Sequence, residues 1–304
     1  MKYLFGPVNS RRLGSSLGID IIPFKTCTQN CIYCECGRTT NLTNLRKEYF
    51  PISEIISEII DWSQKNTKPD FATLAGSGEP TLNTGFGKVI DAAHLYINTK
   101  VCVLTNGTLL YDDDVLANIM KADLIIPSLD AADSETYNKI NRAYEKNDFA
   151  RQIYGLERLF SEYKGNIWLE IFIVPGINDT KNSLENFCKL LNKLNPTKIQ
   201  LNTAIRPTAE TRISTASYEQ LHEYAKLFGH NTEIAIPSSK SNIVNQVSLQ
   251  AILDIIERRP CSLKELSETF QVSESEIKKY IDSERSGKIQ KIISNNNIFY
   301  KSKT

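Results

Sequence analysis

The chain has 304 residues, of which 41% are hydrophobic and 23% are charged, with 36 basic against 35 acidic side chains. This length allows one large domain and one small one, and the composition excludes intrinsic disorder and a fibrous fold. A net charge of +1 gives no overall attraction to nucleic acid or anionic lipid, so such a partner would need a local charged patch. Because the chain has neither an export signal core nor an apolar run of about 18 residues, we expect a cytoplasmic protein without a membrane partner.

Short β-rich runs alternate with amphipathic helical patterns, such as those over 52–64 and 148–163, as far as about residue 240. This alternation predicts an α/β fold with a mostly parallel sheet and right-handed crossovers. Six βα units are compatible with a partial barrel or with an open doubly wound sheet, and periodicity does not choose between them. The predicted strands cover 18–22, 71–75, 100–105, 123–128, 168–174 and 198–203.

Strand alternation directs several polar side chains toward one interior. Gln200 and Asn202 share a face of the sixth strand, and Ser128 and Asp130 share a face where the fourth strand ends. Glu170 lies between two aromatic residues on the polar face of the fifth strand. We therefore expect a polar lumen, with a structural network around Glu170 as the alternative.

The last 60 residues differ in composition from the rest. The stretch over 237–245 indicates a linker, which predicts one domain over 1–240 and a second over 246–304. Ser262 and Ser273 each precede a glutamate by three residues, which is the spacing of a capping box. Three helices and a hairpin are typical of a winged helix, and here they are predicted over 248–258, 262–270, 274–283 and 288–301.

The charge of this tail bears on its role. The segment 274–285 carries four acidic against three basic side chains, whereas a helix that reads DNA normally has excess positive charge. Lys288 and Lys291 on the predicted wing partly offset the acidic excess. We expect the tail to dock a protein or to act as a lid over the substrate, with nucleic-acid contact as the alternative.

Four of the seven cysteines lie within ten residues, at Cys27, Cys31, Cys34 and Cys36. The C-x3-C-x2-C array of the first three can occupy three corners of an iron–sulfur cubane, which leaves the fourth iron open for chemistry. A zinc site of four thiolates is the alternative, although structural zinc sites usually draw on two separated pairs; otherwise Cys36 is a spare thiol beside the cluster. The remaining cysteines are expected to be small core residues: Cys102, Cys188 and Cys261.

Two motifs together resemble the radical S-adenosylmethionine (SAM) superfamily. The cysteine array follows the first predicted strand and has Tyr33 just before its last member. The turn Gly76-Ser-Gly-Glu-Pro80 ends the second strand, where the superfamily has Gly-Gly-Glu-Pro, with Ser77 in place of the first glycine. The resemblance covers about 15–205 and implies a partial (β/α)6 barrel, to which the tail adds a C-terminal winged-helix domain.

The resemblance also implies cofactors and their contacts. The first three cysteines would bind a four-iron four-sulfur (4Fe-4S) cluster, whose open iron would chelate the amine and carboxylate of SAM. Gly78, Glu79 and Pro80 would bind the SAM ammonium, and Tyr33 would pack near the adenine. The residues expected at ribose, carboxylate and adenine, with helix capping as their alternative role, are Asn106, Ser128, Asp130 and Asn202.

The front of the chain has a closer likeness. The segments 4–14, 18–20 and 34–40 look like the iron–sulfur oxidoreductase group that is often classed with wyosine synthase-like proteins. This likeness suggests a modified tRNA base as the substrate. The chain departs from authentic wyosine synthases, because no cysteine precedes Cys27 to bind the additional cluster of the archaeal enzymes and a flavodoxin domain is absent.

The reaction implied by the resemblance uses an electron from a flavodoxin or ferredoxin to cleave SAM to methionine and a 5′-deoxyadenosyl radical, which abstracts hydrogen from the substrate. Glu170, Gln200 and Arg206 are expected at the substrate end as catalytic residues. Arg206 would clamp a carboxylate or phosphate, or else be a solvated surface residue. Arg11 and Arg12 are expected in surface or structural salt bridges, or else over the cluster or against an anionic substrate.

Two other functions remain open at this point. One is an activase that installs a glycyl radical in a large partner enzyme, since activases use the same cysteine spacing. The other is an iron–sulfur redox-sensing transcription regulator, in which the winged helix would bind DNA.

Overall fold

A computed structural model of the chain describes residues 1–10, 12–235, 247–284, 287–295 and 297–303. Arg11, the predicted linker over 237–245 and the predicted domain limits at 240 and 246 lie outside the described residues. None of the described helices combines the length and apolarity needed to cross a membrane.

One mostly parallel sheet forms the centre of the molecule. The described strands are β1 (Leu4–Ser10), β2 (Gly14–Ile19), β3 (Thr26–Cys27), β4 (Asn41–Leu42), β5 (Phe71–Leu74), β6 (Lys100–Thr105), β7 (Leu124–Pro127), β8 (Asn166–Ile173), β9 (Lys198–Thr203), β10 (Thr232–Ile234), β11 (Ile289–Ser294) and β12 (Asn297–Ser302). Within the described chain, the main sheet has eight strands in the order β1-β2-β5-β6-β7-β8-β9-β10. Neighbours from β2 to β10 are parallel, and β1 is antiparallel to β2.

Helices follow most strands, as parallel pairing requires. The described α-helices are α1 (Ile52–Ser63), α2 (Phe86–Ala92), α3 (Asp113–Ile119), α4 (Ser134–Ile140), α5 (Phe149–Glu162), α6 (Lys181–Leu194), α7 (Tyr218–Phe228), α8 (Leu249–Ile256), α9 (Leu263–Phe270) and α10 (Glu274–Ser283). A short 3-10 helix spans Pro80–Leu82, and a π-helical turn spans Ala93–Ile97.

The α/β fold with a mostly parallel sheet is confirmed, and each of the six predicted strands is present. The limits of β6 and β9 are as predicted, whereas β2 begins and ends earlier than the predicted 18–22. Two edge strands were not predicted. β1 contains Gly6 and Pro7 and is interrupted by a register shift, and β10 has three residues, too few to show a period.

The two faces of the sheet have different environments. In β6, Val101 and Val103 join the large core that the sheet forms with its helices. Cys102 and Leu104 point the other way, into a smaller apolar cluster that also contains Leu13. This second face is only partly filled by apolar side chains, and the candidate site lies on it.

The three isolated cysteines have different surroundings. Cys102 and Cys261 are buried, as predicted for core residues. Cys188 is half-buried on α6, so the prediction of a core position was wrong for this residue.

The tail forms a compact unit, called here the C-terminal unit (247–284, 287–295 and 297–303). Helices α8, α9 and α10 enclose their own apolar cluster, and β11 and β12 pair as an antiparallel hairpin. Each helix is capped by a serine, and Ser262 forms the predicted capping box with Glu265. The unit rests on the sheet edge, because α8 and α9 contact β1.

Candidate functional site

The cysteine loop (27–42) is fixed at both ends and along its course. Its first and last strands, β3 and β4, pair in parallel. Cys34 N donates to Cys31 O at 3.2 Å, so a tight turn connects these two cysteines. Ile32 N donates to Ile140 O of α4 at 3.0 Å, which ties the middle of the loop to the rest of the fold.

A cavity of about 390 Å³ opens between this loop and the polar face of the sheet. The predicted site residues that line it are Cys27, Cys31, Tyr33, Cys34, Gly78, Glu79, Asn106, Ser128, Glu170 and Arg206. The predicted site residues that are buried but do not line it are Pro80, Asp130, Gln200 and Asn202. Cys36 also lines the cavity.

The loop thiols differ in acidity. A hydrogen bond from Cys36 and the nearby Lys25 ammonium, whose Nζ lies 3.3 Å from Cys34 Sγ, lower the pKa of Cys34 to about 6. Burial raises the pKa of Cys27 to about 12 and also raises that of Cys31. Thiolates are the form that binds metal. Cys27 and Cys31 therefore need a positive centre beside them in order to ionise.

The turn over 76–80 lies directly against the start of the cysteine loop. Lys25 N donates to Ser77 O at 2.8 Å, and Glu79 N donates to Thr26 O at 3.2 Å. A Cβ on Gly78 would lie 1.8 Å from Thr26 O, so only glycine fits at this position. The glycine therefore lets the two loops approach each other at the cavity wall.

Glu79 is a buried carboxylate whose hydrogen-bonding capacity is only partly used by the protein. Its Oε1 accepts hydrogen bonds from Thr81 N at 3.2 Å, Thr81 Oγ1 at 2.7 Å and Thr105 Oγ1 at 2.7 Å. Its Oε2 accepts one from Asn106 N at 2.8 Å. Burial raises the pKa of Glu79. Because a carboxylate oxygen has two lone pairs, Oε2 can still accept from a cationic donor in the cavity.

Pro80 and Asn106 have local structural roles. Pro80 is the first residue of the 3-10 helix, where a missing N–H costs nothing. Asn106 Nδ2 donates to Thr28 Oγ1 at 2.7 Å and lies 3.5 Å from Cys27 Sγ, while its Oδ1 accepts from Thr108 N. Asn106 thus lines the cavity and also caps the following turn.

Tyr33 is held in place by two neighbours. Its ring stacks on Phe172, with centroids 3.9 Å apart, and its hydroxyl donates to Asp130 Oδ2. The same Asp130 oxygen accepts from Asn141 Nδ2 at 2.9 Å, and the other accepts from Phe172 N at 3.1 Å. Burial raises the pKa of Asp130 to about 6. Asp130 therefore supports Tyr33 from behind.

Glu170 is paired with Arg12, for which the sequence left both a salt bridge and a position over the cluster open. Arg12 donates to both Glu170 oxygens, with Nη2 to Oε1 at 2.8 Å, and Asn202 Nδ2 donates to Oε1 at 3.0 Å. Arg12 also lines the cavity, so the predicted structural salt bridge and the predicted lumen position of Glu170 coexist. Gln200 is opposite Glu170 in the register of β8 and β9, and its buried Oε1 has no hydrogen-bond partner among the described residues.

Arg206 is buried, so the prediction of a solvated surface residue was wrong. Its Nη1 donates to Glu35 Oε2 at 2.7 Å and its Nε donates to Glu265 Oε1 at 2.9 Å. With 3% of the side chain exposed, the guanidinium is already bound by two carboxylates. This leaves it poorly placed to clamp a substrate anion.

Further cavity or support residues lack a local sequence signal. Asp20 accepts from Ser77 N and Oγ, and Lys25 donates to Cys34, yet each is a single charge in an apolar run. Arg258 and Arg259 line the cavity from the C-terminal unit. These two arginines lie more than 200 residues from the cysteine array, so no local pattern in the sequence indicates their contribution.

Comparison with known proteins identifies the family. The family model described as "Radical SAM superfamily" matches residues 21–191. The chain belongs to this superfamily. Membership implies an enzyme, and radical SAM proteins bind a 4Fe-4S cluster and SAM, which are therefore the cofactors of this chain.

The chain is also similar to individual proteins and to solved structures. The chain is 31% identical to a UPF0026 protein of Methanocaldococcus jannaschii, over 99% of this chain and 96% of that one. It is 36% identical to a GTPase Obg of Brachyspira hyodysenteriae over 98% of its own length, but it spans 45% of that relative. A solved structure of TYW1 with a lysine-pyruvate adduct bound shares the fold, with a TM-score of 0.54, 19% identity and coverage of 74% of this chain and 75% of that one.

The residues present fit these cofactors. Three thiols, a glycine that lets the cysteine loop and the 76–80 turn approach each other, and a buried carboxylate with spare hydrogen-bonding capacity line one cavity. In the described part of the chain, no three His, Cys, Asp or Glu side chains are gathered around a point that one metal ion would occupy. Ligands of a four-iron cluster sit at separate corners, so they need not be gathered around one point.

Proposed function

We propose that this protein is a radical SAM enzyme in which Cys27, Cys31 and Cys34 hold the cluster and leave one iron open to SAM. The observation that carries the proposal is the convergence of these three thiols with Gly78 and Glu79 on one cavity. When bound and reduced by a flavodoxin or ferredoxin, these cofactors supply a 5′-deoxyadenosyl radical that abstracts hydrogen from the substrate.

The protein residues would then orient SAM. Glu79 Oε2 would accept a hydrogen bond from the methionine ammonium of SAM, because this oxygen has a lone pair left and lies in a medium of low polarity. The exposed face of Tyr33, held by Phe172 and Asp130, packs near adenine. Asn106 and Ser128 line the remaining wall and offer hydrogen bonds to ribose or carboxylate.

At the substrate end, we propose roles for Glu170 and Gln200. Arg12 and Asn202 donate hydrogen bonds to the Glu170 carboxylate and so fix its orientation. Gln200 is buried opposite Glu170 and does not line the cavity, so we propose a supporting role for it beside Glu170 instead of direct contact with the substrate. We propose a modified tRNA base as the candidate substrate, which the likeness of the segments 4–14, 18–20 and 34–40 to wyosine synthase-like proteins supports.

The architecture and location are part of the proposal. A partial (β/α)6 barrel over 1–240 followed by a winged-helix domain over 246–304 is supported by the parallel sheet and by three helices followed by a hairpin. Seven cysteines without a disulfide suit a reducing compartment such as the cytoplasm.

Replacing single cysteines tests the ligand set. After anaerobic reconstitution with iron and sulfide, Cys31→Ala should lose the cluster, because two thiolates cannot hold the cubane. Cys36→Ala should retain the wild-type iron and sulfide content and the visible absorbance of the cluster. Loss of the cluster in Cys36→Ala would make Cys36 a fourth ligand and contradict the open iron.

A further inference from the structure

The C-terminal unit contributes buried charges to the cofactor site. Arg206, which follows β9, joins Glu35 of the cysteine loop to Glu265 of α9 at 2.7 and 2.9 Å. Glu35 lies between the proposed ligand Cys34 and Cys36 and lines the cavity. A chain of three charged side chains thus runs from α9 to the cysteine loop.

A second connection reaches the 76–80 turn. Arg258, which follows α8, places Nε 3.5 Å from Asp20 Oδ2, and both side chains are about nine-tenths buried. The same Asp20 oxygen accepts from Ser77 N at 3.2 Å and Ser77 Oγ at 2.5 Å. A Cβ on Gly76 would lie 2.4 Å from the Asp20 carboxyl carbon, so Asp20 fills the space behind this turn.

A third contact comes from the hairpin. Lys301 Nζ of β12 donates to the carbonyl of Cys36 at 3.1 Å. Two elements of the C-terminal unit, α9 and β12, therefore hold the cysteine loop at Glu35 and Cys36. Arg258 of the same unit holds the 76–80 turn through Asp20.

These connections can fix the position of the cysteine loop relative to the 76–80 turn. Buried ion pairs add little stability compared with apolar packing, but removing one partner leaves an uncompensated buried charge and shifts what the other partner contacts. The ion pairs link one unit to both ligand-bearing loops, and those loops touch each other through Lys25, Thr26, Ser77 and Glu79. Movement of the C-terminal unit would therefore move both loops together.

We propose that the C-terminal unit is a positioning element of the cofactor site, in which Glu265, Arg258 and Lys301 align the cysteine loop with the 76–80 turn for SAM binding. The inference rests on the proposed function and adds that Arg206, predicted from the sequence as a catalytic residue, acts through Glu35 and Glu265 instead. It assigns to the tail a part in cofactor binding in addition to any contact with a partner.

Charge-neutral variants test this role in the full-length reconstituted protein. Glu265→Gln keeps the capping box, because glutamine serves at this position, but removes the charge that faces Arg206. Arg258→Met keeps an unbranched side chain beside Phe5 but removes the guanidinium, which lies over the Phe5 ring and faces Asp20. Glu274→Gln, also in the first turn of a C-terminal helix but exposed and remote from the cavity, is the matched control.

The measurements are the dissociation constant of SAM and the change that SAM causes in the electron paramagnetic resonance spectrum of the reduced cluster. We expect Glu265→Gln and Arg258→Met to weaken SAM binding about fivefold or more, the lower end of typical coupling between sites. The control should bind SAM within about twofold of wild type, well below that coupling. A merely structural role would lower the unfolding temperature without moving either readout.

Hydrogen exchange on the cluster-free chain adds a readout that is independent of SAM. Amides of 28–40 and 76–80 should exchange faster in the two variants than in Glu274→Gln. If Glu265→Gln or Arg258→Met does not fold, Lys301→Met is measured in its place, because it removes only the hydrogen bond to the Cys36 carbonyl and leaves the ion pairs intact.

The outcomes separate the two claims. Wild-type SAM affinity and wild-type exchange in the folded variants would overturn the positioning role while leaving the proposed function standing. A wild-type protein that holds no cluster or does not bind SAM would overturn the proposed function itself.

Discussion

At the residue scale, three carboxylates of the site differ in what surrounds them. Glu79 has a free lone pair toward the cavity, Glu170 is neutralised by Arg12, and Asp130 is enclosed by Tyr33, Asn141 and the backbone of Phe172. Burial without a cationic partner explains why the pKa of Asp130 rises to about 6. Asp130 therefore supports the site at a cost in stability near neutral pH.

The pH dependence of stability tests this reading of Asp130. Because its pKa is about 6 in the folded chain against 3.8 when exposed, the folded state binds more protons between these values. The stability contributed by Asp130 is then full below about pH 4 and is lost as pH rises through 6, by about 3 kcal/mol.

The measurement is urea unfolding of the cluster-free protein and of Asp130→Asn between pH 4 and pH 7. The advantage of wild type over Asp130→Asn should shrink across this interval and then stay constant. Parallel stability curves for the two proteins would contradict the raised pKa.

The sequence predicted the residues of the site that carry a local motif and missed those that depend on the fold. The cysteine array and the 76–80 turn could be read directly because their spacing is short. Arg12 was not predicted as the partner of Glu170, since 158 residues separate them and only the sheet brings them together. Asp130 and Asn202 were expected to contact the cofactor, but in the structure their side chains do not line the cavity and instead support residues that do.

At the scale of elements, the ends of helices α9 and α10 are specified by their caps. Ser262 Oγ accepts from Glu265 N, and Ser273 Oγ accepts from Glu276 N, each at 3.2 Å. Only the first cap is reciprocal, because Glu265 Oε2 accepts from Ser262 N at 2.9 Å. The cap of α9 therefore also orients the glutamate that faces Arg206.

Ser262→Ala and Ser273→Ala form a matched pair for this element. Each should lower the free energy of unfolding by about 1 kcal/mol, the usual effect of losing a serine cap. Only Ser262→Ala should also weaken SAM binding, because it removes a hydrogen bond from the first turn of α9, which carries the glutamate that faces Arg206. Equal SAM affinity in the two variants would show that the cap does not act on the site.

The elements that the sequence missed are those with weak or short patterns. β1 carries Gly6 and Pro7, which are typical of turns, and a proline is tolerated there because β1 is an edge strand. The interior strands β6 and β9 were predicted with the correct limits because both of their faces are buried and their apolar runs are bounded.

At the scale of the whole molecule, the charge distribution argues against a DNA-binding regulator. The net charge is +1, and the described residues of α10 and the turn after it contain four acidic side chains, Glu274, Glu276, Asp282 and Glu284, against Lys278 and Lys279. Arg258 and Arg259 of the C-terminal unit line the cavity, and Arg258 and Glu265 form ion pairs with the rest of the chain.

Gel-shift measurements with duplex DNA test this point. At physiological salt we expect no retarded band at about 10 µM protein, a concentration at which ordinary non-specific DNA binders already associate. A shift that appears or disappears with oxidation of the cluster would favour the transcription regulator over the enzyme.

The central claim is that three cysteines hold a cluster with an open iron that SAM occupies. The most direct measurement is the product formed when the anaerobically reconstituted protein is incubated with dithionite and SAM. The account predicts 5′-deoxyadenosine from the wild-type protein and from Cys36→Ala, and none from Cys31→Ala. Absence of 5′-deoxyadenosine from wild-type protein that holds an intact cluster would contradict it.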